Sequence, residues 1–238
     1  MTELDALMAR MAACRVCEGK IPEPNPVFRL SAAAPLIVIG QAPGTKVHAT
    51  GIPWNDPSGD RLREWMGVDR GRFYDPSRTA LLGMGLCYPG RGSGGDLPPR
   101  PECAPLWHPP VWEHLKRVDL VLLVGSYAHW YYLKGTGPVA ETVKNWKNYG
   151  PRFFPIVHPS PRNRRWLTNN PWFEDEVVPV LRERIQGLCA ARARADARLD
   201  SRNRRSWSEG ARRAAWAQVA AASAHRPALP RKSARAAG

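Results

Sequence analysis

This 238-residue chain is short of acid: 21 Asp and Glu stand against 35 Lys and Arg, a formal net charge of +14. A surplus that large favours a polyanionic partner through counterion release, and nucleic acid is the first candidate. Long hydrophobic runs are also missing. The longest, such as 119-DLVLLVG-125, fall far short of the roughly 20 residues that cross a bilayer, so no membrane partner is expected. The opening MTELDALMAR lacks the basic and then apolar regions of a secretory signal, and a cytoplasmic location is the expectation. Hydrophobic residues make up 43%, close to the globular norm of about 45–50%, which excludes wholesale disorder. The length suits one domain with an appendage.

The charge divides the chain. Residues 190–238 carry 12 Lys and Arg against 3 Asp and Glu, in a stretch dominated by Ala and Arg. This segment reads as a basic tail, with a helical turn near 211–222 because Ala and Arg are good helix formers. It is either a solubilising extension or a non-specific phosphate binder. Residues 1–189 form the expected catalytic domain. There, short apolar runs separated by longer segments give the pattern of parallel strands joined by helical crossovers. Strands are expected at Pro35–Gly40, Thr79–Leu86, Asp119–Gly125 and Arg152–Val157. Helices are expected at Ser58–Gly67, capped by Ser58, and at Pro171–Gly187. The fold class is α/β, a three-layer α/β/α sandwich on a four-stranded, mainly parallel sheet. Ligands bind outside the carboxyl ends of such strands. The two most unusual loops, 40-GQAPGTKVHATGIPWNDPSG-59 and 158-HPSPRN-163, follow the first and last strands and should face each other across one cleft.

Five cysteines are present. Cys14 and Cys17 form a C-x2-C pair, and Cys87 and Cys103 flank a Gly/Pro-rich loop. A cytoplasmic chain does not use them as structural disulfides. Four thiolates in this arrangement suit tetrahedral zinc or a [4Fe–4S] cluster, and spacing does not choose between them; four unrelated cysteines are the remaining reading. Cys189 reads as an ordinary free cysteine.

In the first loop, Gly40 and Gly44 let backbone approach a ligand closely, while Pro43, Pro53 and Pro57 stiffen it. Trp54 suits stacking on a flat ring, against the alternative of a core tryptophan. His158, fixed by prolines around Ser160, can donate a hydrogen bond to developing negative charge. Taken together, Gly40-Gln41-Ala42-Pro43-Gly44, His158-Pro159-Ser160-Pro161 and the order of Cys14, Cys17, Cys87 and Cys103 resemble the uracil-DNA glycosylase superfamily, closest to its iron–sulfur-containing families 4 and 5. The likeness spans about residues 10–185. It implies a [4Fe–4S] cluster on the four cysteines and hydrolysis of the bond between uracil and deoxyribose in base excision repair, with uracil-containing DNA, single- or double-stranded, as partner and a monomer as the working form.

The departures from that family pattern redistribute the roles. The first motif has Gln41 where many family 4 relatives carry an acid, and 81-LLGMGL-86 lacks their asparagine. Asp56 becomes the best carboxylate, orienting water or stabilising the sugar cation, with capping of the following helix as its competitor. The resemblance implies that His158 donates to a uracil oxygen, that Gln41 works at the uracil edge or positions water, and that Trp54 stacks on the flipped base. Gly40, Ala42, Ser160 and Asn163 are expected to line the substrate site, and Arg162 to fill the gap left by the base or hold phosphate. His48 is carried as a pocket-lining residue against a surface position. Two other classes stay open: a uracil-DNA binding protein with little turnover, and a zinc-stabilised nucleic-acid module.

Overall fold

The computed structural model describes residues 1–134, 137–188 and 190, which apart from Ala190 belong to the first of two units, Met1–Cys189. Cys189, the turn expected at 211–222 and the rest of the tail lie outside the described residues. In chain order the strands are β1 (Leu36–Gly40), β2 (Thr79–Gly83), β3 (Arg91–Gly92), β4 (Gly95–Asp96), β5 (Leu120–Val124) and β6 (Phe153–Ile156). The helices are α1 (Glu3–Ala12), α2 (Thr45–Thr50), α3 (Pro57–Met66), α4 (Arg70–Tyr74), α5 (Cys103–His114), α6 (Ser126–Tyr132), α7 (Val139–Lys144) and α8 (Arg164–Asn169). A final helical stretch covers 172–188 and contains the π-helical turn Phe173–Val177.

Four strands form one parallel sheet in the order β2-β1-β5-β6. Every residue of β1 and β5 is buried, as expected when helices cover both faces. Alternation along the strands separates the two sides. Leu36, Val38, Leu81, Leu120, Leu122 and Val124 share one core with Leu62, Trp65 and Met66 of α3 and with Phe173, Val177 and Leu181. Ile37, Ile39, Ala80, Leu82, Val121 and Leu123 face the other way, onto Leu4, Leu7 and Met11 of α1 and Val111 of α5. The result is the three-layer α/β/α sandwich. A hydrogen bond from Trp65 Nε1 to Glu174 Oε1, 2.9 Å, ties α3 to the last helical stretch. Among the described residues, no helix is long and apolar enough to cross a membrane.

Two local expectations need correction and a third needs refinement. The second strand stops at Gly83 instead of Leu86, because Met84 and Gly85 turn their N–H groups onto the carbonyls of Gly40 and Gln41. The cap of α3 is Asp56, whose side chain accepts from Gly59 N; Ser58 lies inside the helix behind Pro57. The last helix, expected at Pro171–Gly187, is present but wound wide at its start as the π-helical turn Phe173–Val177.

The chain leaves β1 toward β2 on one side and returns as β5 on the other. The β1/β5 boundary is therefore the switch point, where connections diverge and leave a crevice. Its floor is pinned from behind. Trp112 Nε1 donates to Tyr132 Oη at 3.0 Å, and Tyr132 Oη donates to His108 Nδ1 at 2.6 Å. That leaves the His108 proton on Nε2, which meets the Gly83 carbonyl at 3.0 Å. On α6, His129 Nε2 donates to the Leu123 carbonyl at 3.1 Å.

Burial pushes the pKa of both His108 and His129 down to about 4, below the roughly 6.5 of an unfolded histidine. The unfolded chain thus binds these protons first. The stability the two histidines contribute is fully present above about pH 6.5 and is lost as pH falls toward 4. Urea melts between pH 8 and 4.5 should show a flat region followed by a steep fall below pH 6.5, and His129→Gln should make that fall shallower. A pH-independent midpoint across the range contradicts the assignment.

Candidate active site

At the carboxyl edge of the sheet lies a cavity of about 390 Å³, within the usual range of ligand pockets. Gly40, Gln41, Ala42, Trp54, Asp56, His158, Ser160, Arg162 and Asn163 all line it, so the two cleft loops meet as their sequence positions suggest. His48 does not line it. It turns instead toward Glu23, 3.8 Å from Nε2, and toward the Tyr88 ring.

Close approach of backbone builds this site. Trp54 has φ of 59°, a left-handed conformation rare for a bulky residue and a mark of functional strain. Its ring lies on Gly40, where a Cβ would come 2.5 Å from the indole, and its carbonyl lies on Gly59, where a Cβ would come 1.8 Å from the oxygen. Arg63, only 5% exposed, donates from Nη1 to that carbonyl at 3.2 Å. The guanidinium is held by Asp60 Oδ1 at 2.5 Å and packs over the Phe73 and Tyr74 rings.

His158 follows β6, yet it reaches Trp54, their ring centroids 5.7 Å apart. It does so by passing over the end of β5, where Gly125 at φ +85° offers no side chain and would place a Cβ 3.4 Å from His158 Cβ. The loop braces the imidazole itself. Asn163 Nδ2 donates to the His158 carbonyl at 2.7 Å. Ser160 N donates to His158 Nδ1 at 3.2 Å, which puts the proton of the neutral ring on Nε2. Burial pushes the His158 pKa down to about 4, so at neutral pH the residue is an uncharged donor. Ser160 and Asn163 line the cavity while their polar groups serve this brace; Ser160 Oγ also accepts from Arg162 N at 3.3 Å.

Asp56 divides its two oxygens. Oδ1 accepts from Gly59 N at 2.8 Å as the cap of α3, and burial raises its pKa above the ordinary carboxylate value. The Gln41 backbone carbonyl accepts from Gly85 N at 2.8 Å, and its side chain makes no hydrogen bond to other described residues. Arg162 Nη1 donates to the Gly94 carbonyl at 3.1 Å. The β3–β4 hairpin, which brings Asp96 and Leu97 to the cavity wall, is the element that sequence reasoning missed. Ser93-Gly94 between its two strands is the signal that could have found it, being a two-residue turn ending in glycine.

Cys14, Cys17, Cys87 and Cys103 line a second, smaller cavity together with Arg100 and Trp107, and none is in a disulfide. It joins the segment after α1, the loop after β2 and the start of α5. Leu86 N donates to Cys103 Sγ at 3.3 Å. Burial pushes the Cys103 and Cys87 thiols up to about 12 and 11, so an apolar shell alone keeps them protonated and a cationic centre is needed to make them thiolates. Among the described residues, no three His, Cys, Asp or Glu side chains stand in ligating geometry, while the four thiols line one cavity. As a donor set, four thiols around one space fit an iron–sulfur cluster or zinc.

The family model described as Uracil DNA glycosylase superfamily matches residues 28–182 of the chain. That span includes both cleft loops, the β3–β4 hairpin, Cys87 and Cys103, and excludes Cys14 and Cys17.

The Trp54 clamp makes a stability prediction. Gly59→Ala forces the Trp54 carbonyl away from the helix and should cost about 1–3 kcal/mol, the usual penalty of overpacking, read by chemical denaturation. An unchanged midpoint means the carbonyl contact carries no strain.

Proposed function

The chain belongs to the uracil DNA glycosylase superfamily, and we propose that it is a monofunctional uracil-DNA glycosylase that hydrolyses the N-glycosidic bond and leaves an abasic site. Glycosylase-type hydrolysis on DNA follows from the family; uracil as the base follows from the resemblance of the motifs to families 4 and 5. The observation that carries the reading is the neutral His158, with Nδ1 occupied by Ser160 N and Nε2–H left for a ligand.

The chemistry requires two opposite charges to be accommodated. A duplex hides the bond, so the nucleotide is first extruded, at a cost of a few kcal/mol. Within the cavity the base meets the Trp54 indole and the Gln41 amide. As the C1′–N1 bond breaks, its electron pair goes to uracil and the sugar becomes cationic. His158 Nε2–H donates to the uracil oxygen that gains charge; being uncharged, it strengthens this bond without transferring its proton. The free oxygen of Asp56 orients the water that adds to C1′ and accepts its proton. Arg162, whose guanidinium is engaged by Gly94, is better suited to bracing the hairpin than to filling the duplex gap.

The four cysteines would hold a [4Fe–4S] cluster that cross-links the N-terminal segment to the loop after β2 and to α5. Metal analysis of anaerobically purified protein should find about four iron per chain with broad absorption near 400 nm, expected of such a cluster. Zinc at one per chain without iron overturns the cluster and leaves the glycosylase reading standing.

The deciding experiment is single-turnover release of uracil from single-stranded and duplex DNA. His158→Ala should slow release by about 10²–10³-fold, the effect of removing one preorganised donor, with binding to uracil DNA nearly unchanged because the interaction grows only as charge develops. Equal losses in rate and binding make His158 a ground-state contact, and a wild-type chain that binds uracil DNA without releasing base is a binding protein.

A further inference from the structure

Besides Asp56, a second carboxylate lines the cavity. Asp96 ends the β3–β4 hairpin, lines the cavity and is exposed to water. Its carboxylate makes no hydrogen bond or ion pair with another described residue. It stands beside Gly44 of the first cleft loop, where a Cβ would sit in ordinary contact, 3.4 Å from Asp96 Oδ2. The hairpin is fixed in this place from the second cleft loop. Arg162 Nη1 donates to the Gly94 carbonyl at 3.1 Å, and the guanidinium lies where a Gly95 side chain would project, at φ +132°. A two-residue-stranded hairpin on its own is marginal, so this anchor determines where Asp96 stands.

An extruded nucleotide enters base first, and its sugar stays near the rim because the strand continues outside. Asp56 is fitted to the interior: one oxygen caps α3 through Gly59 N, which leaves a single oxygen for a water. Asp96 is fitted to the rim, with both oxygens open. We propose that Asp96 is a further catalytic residue, which faces the deoxyribose and stabilises the positive charge that develops at C1′ and O4′ while uracil departs with the bonding electron pair. Arg162 is its positioning residue. The assignment rests on the glycosylase reading and adds a division of labour, with Asp56 for the water and Asp96 for the cation.

The test uses the full chain and two DNA probes, one with a cationic pyrrolidine and one with a neutral tetrahydrofuran ring in place of the target deoxyribose. The wild type should bind the cationic probe at least tenfold more tightly than the neutral one. Asp96→Asn should abolish that preference, leave affinity for the neutral probe unchanged and slow single-turnover uracil release at least tenfold. Asp56→Asn should slow release and keep the preference. Retention of the preference by Asp96→Asn, or its loss in Asp56→Asn alone, overturns the proposal. Release by the wild type reads the glycosylase assignment, whereas the probe preference reads Asp96 whatever the turnover.

Discussion

Three stretches of backbone crowd together at the carboxyl end of the sheet, and the Trp54 and His158 side chains take their places from that crowding. Trp54 is pressed between Gly40 and Gly59, and His158 slides over Gly125. At Gly40 and Gly59 the absence of a Cβ lets the chain come closer than any other residue permits. Arg63 turns the arrangement into a clamp, because its donor meets the Trp54 carbonyl while Asp60 and two aromatic rings hold the guanidinium. A left-handed tryptophan is costly, of order 1–3 kcal/mol, and persists only under such constraint from several sides.

The cleft built this way keeps its imidazole donor uncharged. His158 is neutral because burial disfavours its cation, and its proton points outward because the backbone of its own loop occupies the other nitrogen. The acids stand apart on different elements, Asp56 at the head of α3 and Asp96 on the hairpin. A site that must meet an anion on the base and a cation on the sugar is served by this separation, since each partner sees one local environment. The four-thiol cavity is joined to the same floor. Leu82 and Gly83 line the large cavity, and Gly85 and Leu86 line the small one, so a single short run of chain is the wall between them.

The sheet was legible because its signal is local. Leu36-Ile-Val-Ile and Leu120-Val-Leu-Leu-Val are short, continuous apolar runs, as strands buried on both faces require. The loops were legible as a facing pair from topology alone. What escaped was set by tertiary contact. Pro109 and Pro110 inside α5 obscure a helix that is held by the packing of Val111 and the hydrogen bonds of His108. The end of β2 was placed too late because Met84 and Gly85 look like strand residues until their N–H groups find Gly40 and Gln41. Asp56 read equally as cap and as catalytic acid, and the structure shows one oxygen capping and a carboxylate that still lines the cavity. Asp96 gave no sign, because nothing in a Gly-rich loop reports which wall it will join.

The strand order has a consequence for how the molecule comes into being. β1 lies between β2 and β5, and Leu36 pairs with Leu120. Its second neighbour is therefore synthesised 84 residues later, an interval of roughly 4–17 s at 5–20 residues per second. Throughout that time one edge of this buried apolar strand is unpaired. Such an edge is a template for association with other chains, and closing it needs a contact of long sequence separation, the slow kind. The same topology that leaves a crevice for a ligand at β1 and β5 thus makes that boundary the last seam of the sheet's centre to close on the ribosome, and the place where a nascent chain is most exposed to capture by its neighbours.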